Sequence, residues 1–552
     1  MAQERRSALT SRALKRFAYR SVKLTLLATF VLGAFGFTAA RVPAWQQAAA
    51  QQQAQPAAQP AAPPTIAPDV AEKLKRIEAQ AATITSSSSK TPAVFSLGDL
   101  MENLRVPATS IAIIQHFQIV ATKAFGTLSF DTAAPATTHT LFQAGSISKP
   151  VTAAGALWMV EHGQLSLDSN VNDTLKSWKV PDDQFTVTEK VTLRRILSHS
   201  AGLSVHGFNG YAVGEPIPTI VQILNGTPPA NSPPVRVEYV PGSKGLYSGG
   251  GVTIEQLLMT EVSGKPFPEL MQELVLGPVG MTESSFEQPP SPARAALNAI
   301  GNHSGASVAG GWHIYPEMAA AGLWTTPTDL AKFAIEIANS RNGRSNKILS
   351  QKMATEMVTP VIEQSGLGFF MDASTPGLFA HSGADDGFQA ILSMNYITGD
   401  GVAIMTNSDH GISVGGQVLR AVAREFGWNS KMPGDAITEI FLLDLSNGSK
   451  AALDHYAEIK RTNIPGEPID ETTLNLVGYM LIADNRLDDA IAVLARNVAE
   501  YPQGFNTYDS LGEAYMRNGQ KELAIKNYEL SLKLEPRNDN AVIMLKKLHA
   551  AP

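Results

Sequence analysis

Ser146-Ile147-Ser148-Lys149 places a hydroxyl and an amine three residues apart. On a helix those two positions share a face, so the amine can take the serine proton if burial keeps it neutral. Pro150 suits only a first helical turn, which puts Ser146 at or near a helix N-terminus. Unpaired amides there can steady a developing oxyanion. Alone the pattern is weak, because Ser87-Ser88-Ser89-Lys90 repeats it in a polar stretch. Two downstream segments strengthen it. Tyr247-Ser248-Gly249 supplies a phenol that can pass a proton to a leaving group, and His381-Ser382-Gly383-Ala384 reads as a short strand able to offer a second amide. A rival nucleophile, Ser413, lies in Gly411-Ile412-Ser413-Val414-Gly415, between a strand and a helix. Its connection is long for a sharp elbow, and only a linker and helical repeats follow it. That stretch is therefore read as a loop and a helix start. Taken singly, Tyr247 is a packed tyrosine, His381 a strand histidine and His199 a loop-fixing one; together they form an ordered set for acyl chemistry.

These residues need a scaffold. Thr109–Ile114, Ile119–Phe125, Phe388–Tyr396 and Val402–Thr406 are apolar runs of strand length, the last two joined by the hairpin signal Thr398-Gly399-Asp400-Gly401. Val151–Glu161, Ile254–Val262 and Asp329–Asn339 carry apolar residues at helical spacing. The expected fold is α/β of the α+β kind: an antiparallel sheet built from both ends of a domain, flanked by helices, with a helical insertion.

Phrases around the motifs carry a resemblance. They are Gly163–Asp168, Ile196–Leu203, Pro278–Met281 and Gly322–Leu330. In this order they make residues 95–428 resemble the serine β-lactamase and penicillin-binding-protein-like hydrolases, especially class C β-lactamases and their esterase (family VIII-like) and D-peptidase relatives. The resemblance implies a Ser146 that is acylated, a Lys149 acting as base, and a Tyr247 that protonates the leaving group and then activates water. It implies an oxyanion hole from the Ser146 and Ala384 amides, with His381, Ser382 and Gly383 as the substrate-binding strand. Two departures stand out. Gly249 replaces the asparagine of a Tyr-x-Asn pattern, and His381 replaces the lysine of a Lys-Thr-Gly pattern. The first removes a side-chain amide and the second a permanent positive charge. Both favour an esterase or peptidase over an efficient β-lactamase.

The chain has 552 residues, no cysteine and a net charge of −6. Absence of cysteine excludes disulfides, thiolate nucleophiles and zinc–cysteine sites, and the charge argues against nucleic acid as a partner. No cofactor and no metal are expected, since the eleven histidines lack metal-ligand spacing. Residues 1–23 carry seven basic side chains, and Leu24–Ala40 then runs 17 residues without a charge. That pattern reads as a signal peptide or membrane anchor over 1–45, giving a periplasmic or extracellular protein that contacts the membrane only there. Residues 46–91 form an Ala/Gln/Pro-rich linker with a short helix between Asp69 and Ile84. The hydrolase-like domain is placed at 92–430 and a second linker at 431–468. In 469–552 an offset of 34 residues relates Gly478 to Gly512, Ala490 to Ala524, Leu494 to Tyr528 and Pro502 to Pro536. This resembles tetratricopeptide repeats, which would dock on the main body or hold a protein partner. Overall the expectation is an exported serine hydrolase for ester, amide, peptide or β-lactam substrates. The alternative is a binding module of the same build without turnover.

Overall fold

The structure is a computed structural model that describes residues 66–85, 91–303, 305–428, 435–462 and 469–550. The basic and apolar N-terminal segment and the Ser87–Lys90 motif lie outside these residues. Residues 64–552 form one compact unit.

Six antiparallel strands make the central sheet. They are β1 (Ala108–Gln115), β2 (Gln118–Gly126), β3 (Phe370–Met371), β4 (Leu378–Asp385), β5 (Phe388–Asn395) and β6 (Gly401–Thr406), in spatial order β3-β4-β5-β6-β1-β2. Both ends of the domain thus meet at β6 and β1, where Ile404 lies opposite Ile111. Strand β1 is buried along almost its whole length because both faces of the sheet are covered, which is why it reads as an unbroken apolar run.

On one face lie helices α2 (Ser148–Glu161), α3 (Gly249–Ser263), the short α4 (Met318–Ala321) and α5 (Pro327–Arg341). Ala112, Leu392, Ala403 and Met405 meet them there in a core that also holds Val151, Leu157 and Ile254. Helix α2 is buried nearly all round, as its apolar composition requires.

The opposite face carries α1 (Pro68–Ala79) and α6 (Gly411–Phe426). Val70, Leu74 and Ile77 of α1 form an apolar stripe at helical spacing and are buried with Ile111 and Ile404 of the sheet. The packed body therefore begins before residue 92. The helix expected over Asp69–Ile84 stops at Ala79, and Ala82–Ile84 instead pairs with Ala93–Phe95. That partner lies across a chain break in pattern that local periodicity does not register.

From residue 436 to 550 the described residues hold only helices: α7 (Ala436–Asn447), α8 (Ser449–Thr462), α9 (Glu471–Ala483), α10 (Leu487–Glu500), α11 (Phe505–Arg517), α12 (Lys521–Leu534) and α13 (Asp539–Ala550). Where a linker is expected at 431–468, two helices stand. Ile440, Phe441, Leu443, Tyr456 and Ile459 are buried in the core shared with α6, so residues 436–462 are packed protein. The α9–α10 and α11–α12 hairpins repeat at the 34-residue offset. Gly478 lies against Leu494 in the first, and Gly512 against Tyr528 in the second. Arg105 ties this region to the body through Asp484, 2.7 Å away.

Candidate active site

The Gly145–Ile147 turn leads directly into α2, and Pro150 is the third residue of that helix. Ser146 therefore stands at the helix entrance and Lys149 in its first turn. Lys149 is only 4% exposed. Its Nζ lies 2.9 Å from Ser146 Oγ and donates to the Ala320 carbonyl at 2.8 Å. With one N–H held by that carbonyl, the amine is fixed with Ser146 as its remaining near neighbour. Gln256 of α3 secures the same segment. Its side-chain carbonyl accepts from the Ala319 amide at 2.8 Å, and its NH2 donates to the Pro316 carbonyl at 3.1 Å.

Tyr247 comes from the loop before α3, and its ring centre is 5.0 Å from Lys149 Nζ. Three rings fix it. His199 packs at 4.3 Å, and Phe370 and His381 at 6.3 Å each. His199 itself sits at φ +54° and accepts the Ser248 amide on Nδ1 at 3.3 Å. It acts on the loop that presents Tyr247, in keeping with its reading as a loop-fixing residue.

Strand β4 supplies the other wall. A Cβ on Gly383 would come within 1.9 Å of the Ala144 carbonyl, and one on Gly145 (φ +50°) within 2.5 Å of the Ala384 amide nitrogen. Only glycine at both positions lets the strand press against the turn, so Ser146 and Ala384 line one cleft. Ser146, Tyr247, Phe370, His381, Ser382, Gly383, Ala384, Gln389 and Ile412 line a cleft of about 320 Å³. All the residues singled out from the sequence are thus gathered, except Ser413. That serine is in the first turn of α6, with no histidine or carboxylate hydrogen-bonded to its hydroxyl among the described residues.

The electrostatics follow from burial. His381 is 5% exposed, and burial, helped by the Lys149 charge, pushes it down to about 3. The ring is neutral at physiological pH, with Nδ1 2.6 Å from the Ser382 carbonyl. Burial also lowers His199 well below the usual range. Two carboxyls that feel Lys149, Glu255 and Asp385, are pushed well above the carboxylate range by burial. Neither offers the amine a settled negative charge. At Gly249 a Cβ would meet the Phe208 ring at 3.0 Å, so a larger residue there would have to displace that ring. Among the described residues no cluster of three or more His, Asp or Glu side chains is arranged to hold a metal ion.

Phe370, Gln389, Ile412, Gln256 and the two buried carboxyls were not legible as site residues. Their types carry no reactive signal, and only the pairing of distant strands brings them in.

The Beta-lactamase family model matches residues 97–424, more than half of the chain. The chain belongs to the beta-lactamase family. It is 23% identical over 297 residues to the putative penicillin-binding protein PbpX of Bacillus subtilis, covering 51% of this chain and 66% of that one. It is 27% identical over 210 residues to esterase EstB of Burkholderia gladioli, covering 36% and 52%. The chain spans less than two thirds of the length of these curated relatives. Among solved structures it is similar to the octameric penicillin-binding protein homologue from Pyrococcus abyssi, with 23% identity, a TM-score of 0.49, and coverage of 62% and 79%. Family membership makes this a hydrolase-family chain with a beta-lactamase-type domain and a helical C-terminal region outside the family match.

Proposed function

We propose that this beta-lactamase-family chain is a serine hydrolase working through an acyl-enzyme on Ser146. The observation that carries the reading is the 2.9 Å approach of Lys149 Nζ to Ser146 Oγ beneath the Tyr247 ring. In the first step Ser146 Oγ bonds to the substrate carbonyl carbon while its proton passes to the Lys149 amine. The carbonyl oxygen becomes an oxyanion facing the Ser146 and Ala384 amides. Collapse breaks the bond to the leaving group, which takes a proton from the Tyr247 hydroxyl, and Lys149 returns a proton to the phenolate. Water then attacks the acyl-enzyme, its proton passing to Tyr247 as the phenol gives its own to Lys149, and the acyl–Ser146 bond breaks as Lys149 returns that proton to Ser146 Oγ.

The cleft supports ester or amide substrates over β-lactams. A buried neutral His381 and a glycine at 249 leave the positions of the Lys-Thr-Gly lysine and the Tyr-x-Asn asparagine without a cation or an amide for a substrate carboxylate. The same two features favour one second reading, a module that binds peptides or cell-wall fragments without turnover. Export is proposed from the basic segment 1–23 and the uncharged Leu24–Ala40. Hydrolysis of p-nitrophenyl acetate by wild type, Ser146→Ala and Ser413→Ala separates these readings. Loss only in Ser146→Ala is expected. Loss only in Ser413→Ala overturns the assignment, and no hydrolysis by folded wild type favours the binding module.

A further inference from the structure

A second cavity, of about 740 Å³, opens beside the cleft between α6 and the C-terminal helices. Leu419 of α6 forms one wall; Ile437 of α7 and Leu476, Tyr479 and Met480 of α9 form the other. Ile412 lines both this cavity and the cleft that holds Ser146, so the two spaces adjoin. The size falls within the range of small-molecule sites, and the mixture of a largely apolar wall with a few polar groups is theirs as well. Asp409 on its wall is already engaged by His303 and by the Gly387 amide. Ile412 and Leu476 are each 42% exposed, so apolar surface faces the opening. The far wall lies wholly beyond residue 424, where the family match ends.

We infer that this cavity receives the straight apolar chain of an acyl group whose carbonyl sits at Ser146, making medium-chain esters the preferred substrate class. The inference rests on the hydrolase reading above and adds the C-terminal helices as the determinant of chain length. A chain leaving the carbonyl past Gln389 and Ile412 would enter the cavity, and each methylene buried there favours binding about fourfold. Short acyl groups end in the cleft and gain nothing from α9.

The test compares kcat/KM for p-nitrophenyl octanoate and p-nitrophenyl acetate on the full chain. Wild type is expected to prefer octanoate by about tenfold or more. Leu476→Trp, which fills the mouth, and Met480→Asp, which makes the floor polar, are each expected to bring the ratio close to one. Because the readout is a ratio, a smaller folded fraction does not change it. A wild-type ratio of one or below, or a ratio untouched by both variants, overturns the inference. If neither ester is hydrolysed, the hydrolase reading fails separately, and the cavity is read by cis-parinaric acid fluorescence. Saturable binding that Leu476→Trp abolishes supports it, and absence of binding overturns it.

Discussion

At the scale of single residues, the site sets two groups that bear on proton transfer in different surroundings. Tyr247 is half-buried and ringed by His199, Phe370 and His381, while Lys149 is sealed beneath it. If the phenol protonates the leaving group, Tyr247→Phe lowers kcat/KM about 10²–10⁴-fold on alkyl esters. On p-nitrophenyl esters, whose leaving group needs little protonation, the loss is expected to be smaller, and equal losses would remove Tyr247 from that role. A buried carboxyl gives a pH test. Glu317, next to the segment that presents the Ala320 carbonyl, is raised to about 7 by burial, with no partner on another residue. Its protonated form suits the fold, so its contribution is complete below about pH 4.5 and is lost as pH rises through about 7. Thermal unfolding between pH 5 and 8 is expected to show stability falling with pH in wild type and a shallower fall in Glu317→Gln. Identical slopes would mean that Glu317 does not titrate in this range. The reactive types and their order were legible in the sequence. Burial was not, and it decides that His381 is neutral and tucked against Phe370 rather than a poised acid.

At the scale of elements, the close approach of β4 to the Gly145–Ile147 turn builds the proposed oxyanion hole. Gly383→Ala would force the strand away from the Ala144 carbonyl. Losing one aligned oxyanion donor costs about 10²–10³ in kcat, so Gly383→Ala is expected to lose at least a hundredfold while keeping a native circular dichroism spectrum. Full activity in that variant would show that the strand does not need this contact. Strands β1, β2, β5 and β6 and helices α2, α3 and α5 announce themselves through apolar runs and helical spacing, because each buries a regular face. The β3–β4 pairing and the Ala82–Ile84 strand do not, because each pairs too few residues to make a periodic run. The linker expected over 431–468 contains Ile440, Tyr456 and Ile459, which are core residues.

At the scale of the whole molecule, one apolar core runs from Ile111 and Ile404 of the sheet, through Val418 of α6, to Leu474, Val493 and Leu511 of the C-terminal helices. A core without a seam predicts that these parts unfold together. Leu481→Ala, at a fully buried position of α9, is expected to cost about 2–5 kcal/mol and to lower a single calorimetric transition together with the loss of esterase activity. Two separated transitions, with activity following only one, would mean that the helices are an independent attachment. The 34-residue offset was visible because glycine and its large neighbour recur at fixed positions. Where the helices pack was not, since that depends on their neighbours α6 and α7 in the shared core. The central claim concerns one oxygen atom, and the mass of the intact chain tests it most directly. After incubation with a fluorophosphonate, one adduct is expected, and peptide mapping is expected to place it on Ser146. Folded protein that takes up no adduct, or carries it on Ser413 with Ser146 unmodified, would contradict the proposal.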